Sequence, residues 1–144
     1  MKKLAVLLFP LLLLVAPVFA ANNASLNGTY AFFIEGTGSA RAEVTDIDTV
    51  NVPSEETLAV GTIKFNGAGT ATFLSVMGYN LGTTGPKAGS TFTYQVSGNT
   101  ATMNITGATV SMSLGSYNSS GVASVVIILV SDSDQPMAGI ATLQ

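Results

Sequence analysis

Apolar side chains recur at every second position along most of this chain, and that period admits little besides β-structure. In "GTYAFFIE" the side chains of Tyr30, Phe32 and Ile34 fall on one face. Thr29, Ala31, Phe33 and Glu35 fall on the other. The segments "LAVGTIKF", "GTATFLSV", "STFTYQVS", "TATMNIT", "ATVSMSL", "VASVVIILV" and "PMAGIATL" follow the same rule and are rich in β-branched and aromatic residues. No segment beyond residue 20 carries a sustained helical stripe. The pattern predicts eight strands and an all-β fold.

Short connections decide how such strands are arranged. "FNGAGTATF", "VSGNTATMN" and "NSSGVASVV" each set a glycine beside Asn or Ser between two strand-like runs, which suits tight hairpins. Successive hairpins make an antiparallel up-and-down meander. A meander of this size must close as a small barrel or stack as a β-sandwich, because open edges invite aggregation. The barrel is the first expectation and the sandwich the alternative. Two longer connections interrupt the rhythm: residues 36–57, which hold five of the eight carboxylates, and residues 77–89, with four glycines and a proline. Within the first, "ARAEVTDI" is a candidate extra strand. "VVIILV" (Val125 to Val130) lacks alternation and reads as buried on both faces, under a neighbour, a loop or a partner subunit.

The first twenty residues, "MKKLAVLLFPLLLLVAPVFA", have a charged start, a short apolar run and a small residue at Ala20. They read as a secretory signal peptide, too short to span a membrane, cleaved to leave 21–144 as one domain in the periplasm or outside the cell. Cleavage leaves Arg41, Lys64 and Lys87 against eight carboxylates, a net charge of minus five. That balance argues against nucleic acid, which needs clustered cations. Insertion of the mature chain in a membrane is not expected either. Most strands are shorter than the ~9–11 residues a membrane barrel uses, and their outward positions are largely Thr and Ser.

Three short motifs carry a resemblance. "LNGTYAF" (Leu26 to Phe32), "GTIKFNGAG" (Gly61 to Gly69) and the closing "GIATLQ" (Gly139 to Gln144) resemble marks of a loose group of exported bacterial all-β proteins. The resemblance implies a fold and no activity. Gly28-Thr29-Tyr30 is also similar to the first-strand G-x-W of lipocalins and other calycins, with Tyr in place of Trp. Their T-D-Y companion is absent. This second likeness implies an eight-stranded barrel that holds a small ligand.

The chain contains no His and no Cys, so the common nucleophile–base pairs and zinc sites have no residues to build them. No catalytic residue, cofactor or metal is assigned. Asp46 with Asp48, and Asp132 with Asp134, are paired carboxylates that lack the rest of a calcium loop and read as solvated turns. Glu55-Glu56 reads as a solubilising edge. Glu35 is expected to face solvent at a strand end. Tyr30, Phe32, Phe65, Phe73, Phe92, Tyr94, Met103 and Met112 are the candidate lining of an apolar ligand cavity; the same residues would equally pack the interior solid. Two functions follow from different classes: a non-catalytic exported module binding a small apolar ligand, or a structural or adhesive envelope protein that self-associates. A cyclase- or isomerase-like barrel using Glu35 or a tyrosine is the third.

Overall fold

The computed structural model describes residues 21–38, 55–79, 86–105, 107–131 and 136–144. After a single 3₁₀ turn at Asn23–Ser25 come eight strands: β1 (Asn27–Gly38), β2 (Glu55–Asn66), β3 (Thr70–Tyr79), β4 (Thr91–Ser97), β5 (Thr100–Ile105), β6 (Ala108–Tyr117), β7 (Ala123–Ser131) and β8 (Met137–Leu143). Each pairs antiparallel with its neighbours in chain order. β8 returns to pair with β1, so the sheet closes as an up-and-down barrel. The sandwich alternative is thereby set aside. Closure wins because all seven connections join adjacent strands, leaving only two edges, and these pair with each other.

All eight predicted strands form. The long connections are shorter than the sequence suggests: Gly36–Gly38 and Glu55–Thr57 extend the β1–β2 ladder, and Met77–Tyr79 extends β3. The candidate strand "ARAEVTDI" and the proposed signal peptide lie outside the described residues. Between β4 and β5 the loop is Gly98-Asn99, with Gly98 at φ 57°. That left-handed value at the first loop position is what a type II′ hairpin uses.

Alternation becomes burial directly. Tyr30 and Phe32 on β1, Ile63 and Phe65 on β2, and Val126, Ile128 and Val130 on β7 all point into one core. Glycine shapes this wall where a side chain would not fit. Gly139 on β8 lies so close to β1 that a Cβ would strike the Phe33 carbonyl oxygen and sit 2.7 Å from Ile34 Cα. Such glycines let a small barrel bend tightly.

The two ends of the barrel differ. At one end the N-terminal 3₁₀ turn folds under the strands as a plug, with Leu26 fully buried. Asn22 caps the turn by accepting from the Ala24 amide at 2.9 Å. Asn23 Oδ1 ties it to β4 by accepting from Val96 N at 2.8 Å. The opposite end carries the longer connections. The weakest seam is β3–β4, registered only from Thr70↔Thr93 to Thr72↔Thr91, against twelve pairs between β1 and β2.

Candidate functional site

All eight predicted lining residues face inward, and the fold brings them into one cluster. They interlock rather than stand apart. Phe65 meets Tyr30 and Tyr94 edge-on, with ring centroids 5.4 and 5.1 Å apart. One layer nearer the loop end, Phe73 meets Phe32 and Phe92 in the same way at 5.7 and 5.8 Å. Edge-to-face geometry places the positive ring edge on the negative ring face, adding stability beyond burial. Met103 and Met112 fill the β5–β6 side, both almost fully buried, while Phe92 is only half-buried, beside the β3–β4 seam.

The two buried tyrosines place polar atoms in this apolar interior, and each hydroxyl is satisfied. Tyr30 donates to the Ala123 carbonyl at 2.6 Å. The Tyr94 hydroxyl lies 2.7 Å from the Leu26 carbonyl and 3.0 Å from that of Asn23, so it fastens the plug to the core. Burial, with a smaller contribution from neighbouring Tyr94, pushes the Tyr30 hydroxyl up to about 12. Burial raises Tyr94 too, partly offset by the backbone amides of Gly69 and Gly67. Both therefore stay protonated at neutral pH and serve as anchors.

Glu35 is exposed, as expected. Asp46, Asp48, Asp132 and Asp134 lie outside the described residues. Glu55 and Glu56 open β2. Among the described residues no group of three or more His, Cys, Asp or Glu converges to hold a metal.

The unexpected feature is on the outside. The outward faces of β4, β5 and β6 carry the polar row members Thr91, Thr93, Gln95, Thr100, Thr102, Asn104, Thr109, Ser111 and Ser113, as the sequence suggests. The other five strands depart from that expectation. Register places Ile127 opposite Ile140, Ile140 opposite Phe33, Phe33 opposite Val60, and Val60 opposite Met77. These five residues form one continuous outward row across β7, β8, β1, β2 and β3. The next row toward the loop end runs Leu129, Ala138, Glu35 and Leu58. Met77 is 70 % exposed, Leu129 55 % and Ile127 53 %, values that water-facing Thr or Ser would carry without cost. An open groove of about 880 Å³ lies along the second row, lined among others by Glu35, Leu58, Leu129 and Pro136.

This row narrows the reading of "VVIILV": within the chain, no neighbour or loop among the described residues buries its outer face. Val126, Ile128 and Val130 are buried, but Ile127 and Leu129 face outward and are exposed, so β7 is apolar on both faces and buried on one. The physical reason is position: its outer face belongs to the belt. The sequence flagged β7 but missed Phe33, Val60, Met77 and Ile140 as its companions. Each lies on a different strand, and only cross-strand register sets them side by side.

No family model, curated protein or solved structure matches this chain. No helix among the described residues is long and apolar enough to cross a membrane.

Proposed function

We propose that the protein is an exported, non-catalytic barrel module that acts by contact, docking its apolar face on another protein surface. One observation carries this reading: the belt from Ile127 to Met77 crosses five strands, while the outward side of β4–β6 is hydroxyl- and amide-bearing. Scattered exposed apolar residues need no explanation, but a contiguous row that crosses five neighbouring strands marks an interaction surface. The assignment to export, into the periplasm or outside the cell, rests on the form of residues 1–20, and the non-catalytic assignment on a residue set without His or Cys.

A second reading, the binding of a small apolar ligand, draws on a different observation. At the loop end of the barrel Ile34, Val76, Phe92, Ile105, Ala108 and Met137 are only partly buried against the core. They supply apolar surface at a barrel mouth, where such ligands are commonly held. Under this reading the interlocked aromatics form the floor of the site and the half-buried ring its wall.

One experiment addresses both. A photoreactive amino acid is placed singly at Met77, Phe92 and Thr102, and the protein is irradiated in its host and weighed intact. The contact reading expects protein-sized adducts from position 77 and none from position 102. Adducts of small-molecule mass from position 92 would support the mouth instead. Equal labelling from 77 and 102 would refute the docking face.

A further inference from the structure

The belt has a property that a generic sticky patch lacks: register sets charges of opposite sign, Glu35 and Lys64, on either side of its central row. Building on the contact reading, we propose that its partner is a second copy of this chain, stacked face to face about a two-fold axis that runs across the strands through the Phe33 row.

Register fixes the layout. Take the Phe33 row as the centre line. One row toward the loop end lies Glu35 on β1, flanked by Leu58 and Ala138. One row the other way lie Thr142, Ala31 and Thr62, with the Thr62 and Ser75 hydroxyls 2.8 Å apart. Two rows that way Thr29 stands opposite Lys64, which is exposed. Strands are spaced ~4.8 Å and rows on one face ~7 Å.

Two orientations of an in-plane two-fold axis keep the strands of the two copies aligned: along the strands and across them. An axis along β1 would stack Glu35 on its own symmetry copy, desolvating two like charges; such pairing disfavours association. An axis across the strands reverses the row order of the partner. Each Glu35 then lies over the other copy's Ala31, one strand and one row from Lys64, within reach of that long side chain. Two symmetric Glu35–Lys64 pairs result, one on each side of the centre line. The central row meets itself, Phe33 on Phe33 and Ile140 on Ile140, with β1 running antiparallel across β1.

Size sets the strength. The barrel wall curves away from a flat contact, so the belt rows on β8, β1 and β2 meet the partner; they cover roughly 200 Å², against the ~800 Å² per partner of a standard interface. The Thr and Ser rows must supply the rest. The association belongs in the micromolar to millimolar range, where local concentration in an envelope compartment governs it.

The test uses the full-length gene expressed in an exporting bacterial host, with the protein purified after export and followed by sedimentation velocity from micromolar to millimolar concentration. A reversible dimer is expected. Phe33→Asp should weaken it at least about tenfold, as loss of a central apolar anchor does. Should that variant lose its strand signal by circular dichroism, Ile140→Asp, on the same central row and exposed, takes its place. Glu35→Lys and Lys64→Glu alone should each weaken the dimer about tenfold, because each converts two attractions into repulsions, and the double reversal should return to within about threefold of the parent. A monomer at every concentration overturns the proposal, as does a dimer that the belt variants leave unchanged or that the double reversal fails to restore. A monomer that floats with phosphatidylethanolamine–phosphatidylglycerol vesicles overturns it and reassigns the face to lipid. A monomer that still gives protein-sized adducts from position 77 overturns the two-fold pairing alone and leaves the contact reading standing.

Discussion

Raising the pH should destabilise this barrel through its buried tyrosines, Tyr30 above all. Tyr30 is fully buried and titrates at about 12, against 10.0 for a free tyrosine. The native state therefore holds that proton more tightly than the unfolded chain does. The stabilisation is complete below pH 10, where both states are protonated, and is lost as pH rises through 12, when the native state must ionise too. Linkage gives a loss of about 2 kcal/mol between pH 8 and pH 11.5 from this residue. Urea unfolding at a series of pH values measures it, provided the parent is compared with Tyr30→Phe so that other titrating groups cancel. At pH 8 the variant should be less stable by about 1–2 kcal/mol, since the Ala123 carbonyl loses a buried donor. At pH 11.5 the difference should vanish or reverse. A gap between the two proteins that stays constant from pH 8 to pH 11.5 would refute the assigned role of burial at Tyr30.

Two further outcomes test the architecture. Gly139→Ala should destabilise by at least about 2 kcal/mol in thermal or urea unfolding, because backbone atoms of Phe33 and Ile34 occupy the space a Cβ needs; Gly115→Ala, whose nearest neighbour is Val125 O at 3.8 Å, should stay within about 0.5 kcal/mol of the parent. Tyr94→Phe should cost about 1 kcal/mol and loosen the N-terminal plug, seen as faster hydrogen exchange of the Val96 amide, which donates to Asn23 Oδ1.

Local pattern determined much of this protein. Tyr30, Phe32, Phe65 and Phe73 could be assigned to the interior from alternation alone, because in a strand the pleat fixes which side each residue takes without reference to any neighbour. Strand order was legible for the same reason, since short hairpins leave a chain few ways to connect. Of the eight interior residues chosen from sequence, seven are buried in the core and Phe92 packs half-buried against it. Whether alternation closes as a barrel or stacks as a sandwich was left to the tertiary structure, through the pairing of β1 with β8 across the length of the chain.

Apart from its β7 end, the apolar belt lay beyond sequence reading. Phe33 and Ile140 are far apart in the chain and face outward singly; they become neighbours only through closure, and Val60 and Met77 join them through a register that also absorbs a bulge between Thr62 and Ile63. Facing is a property of one strand, whereas adjacency is a property of pairs. The first is written in every second residue, and the second exists only once the sheet has closed.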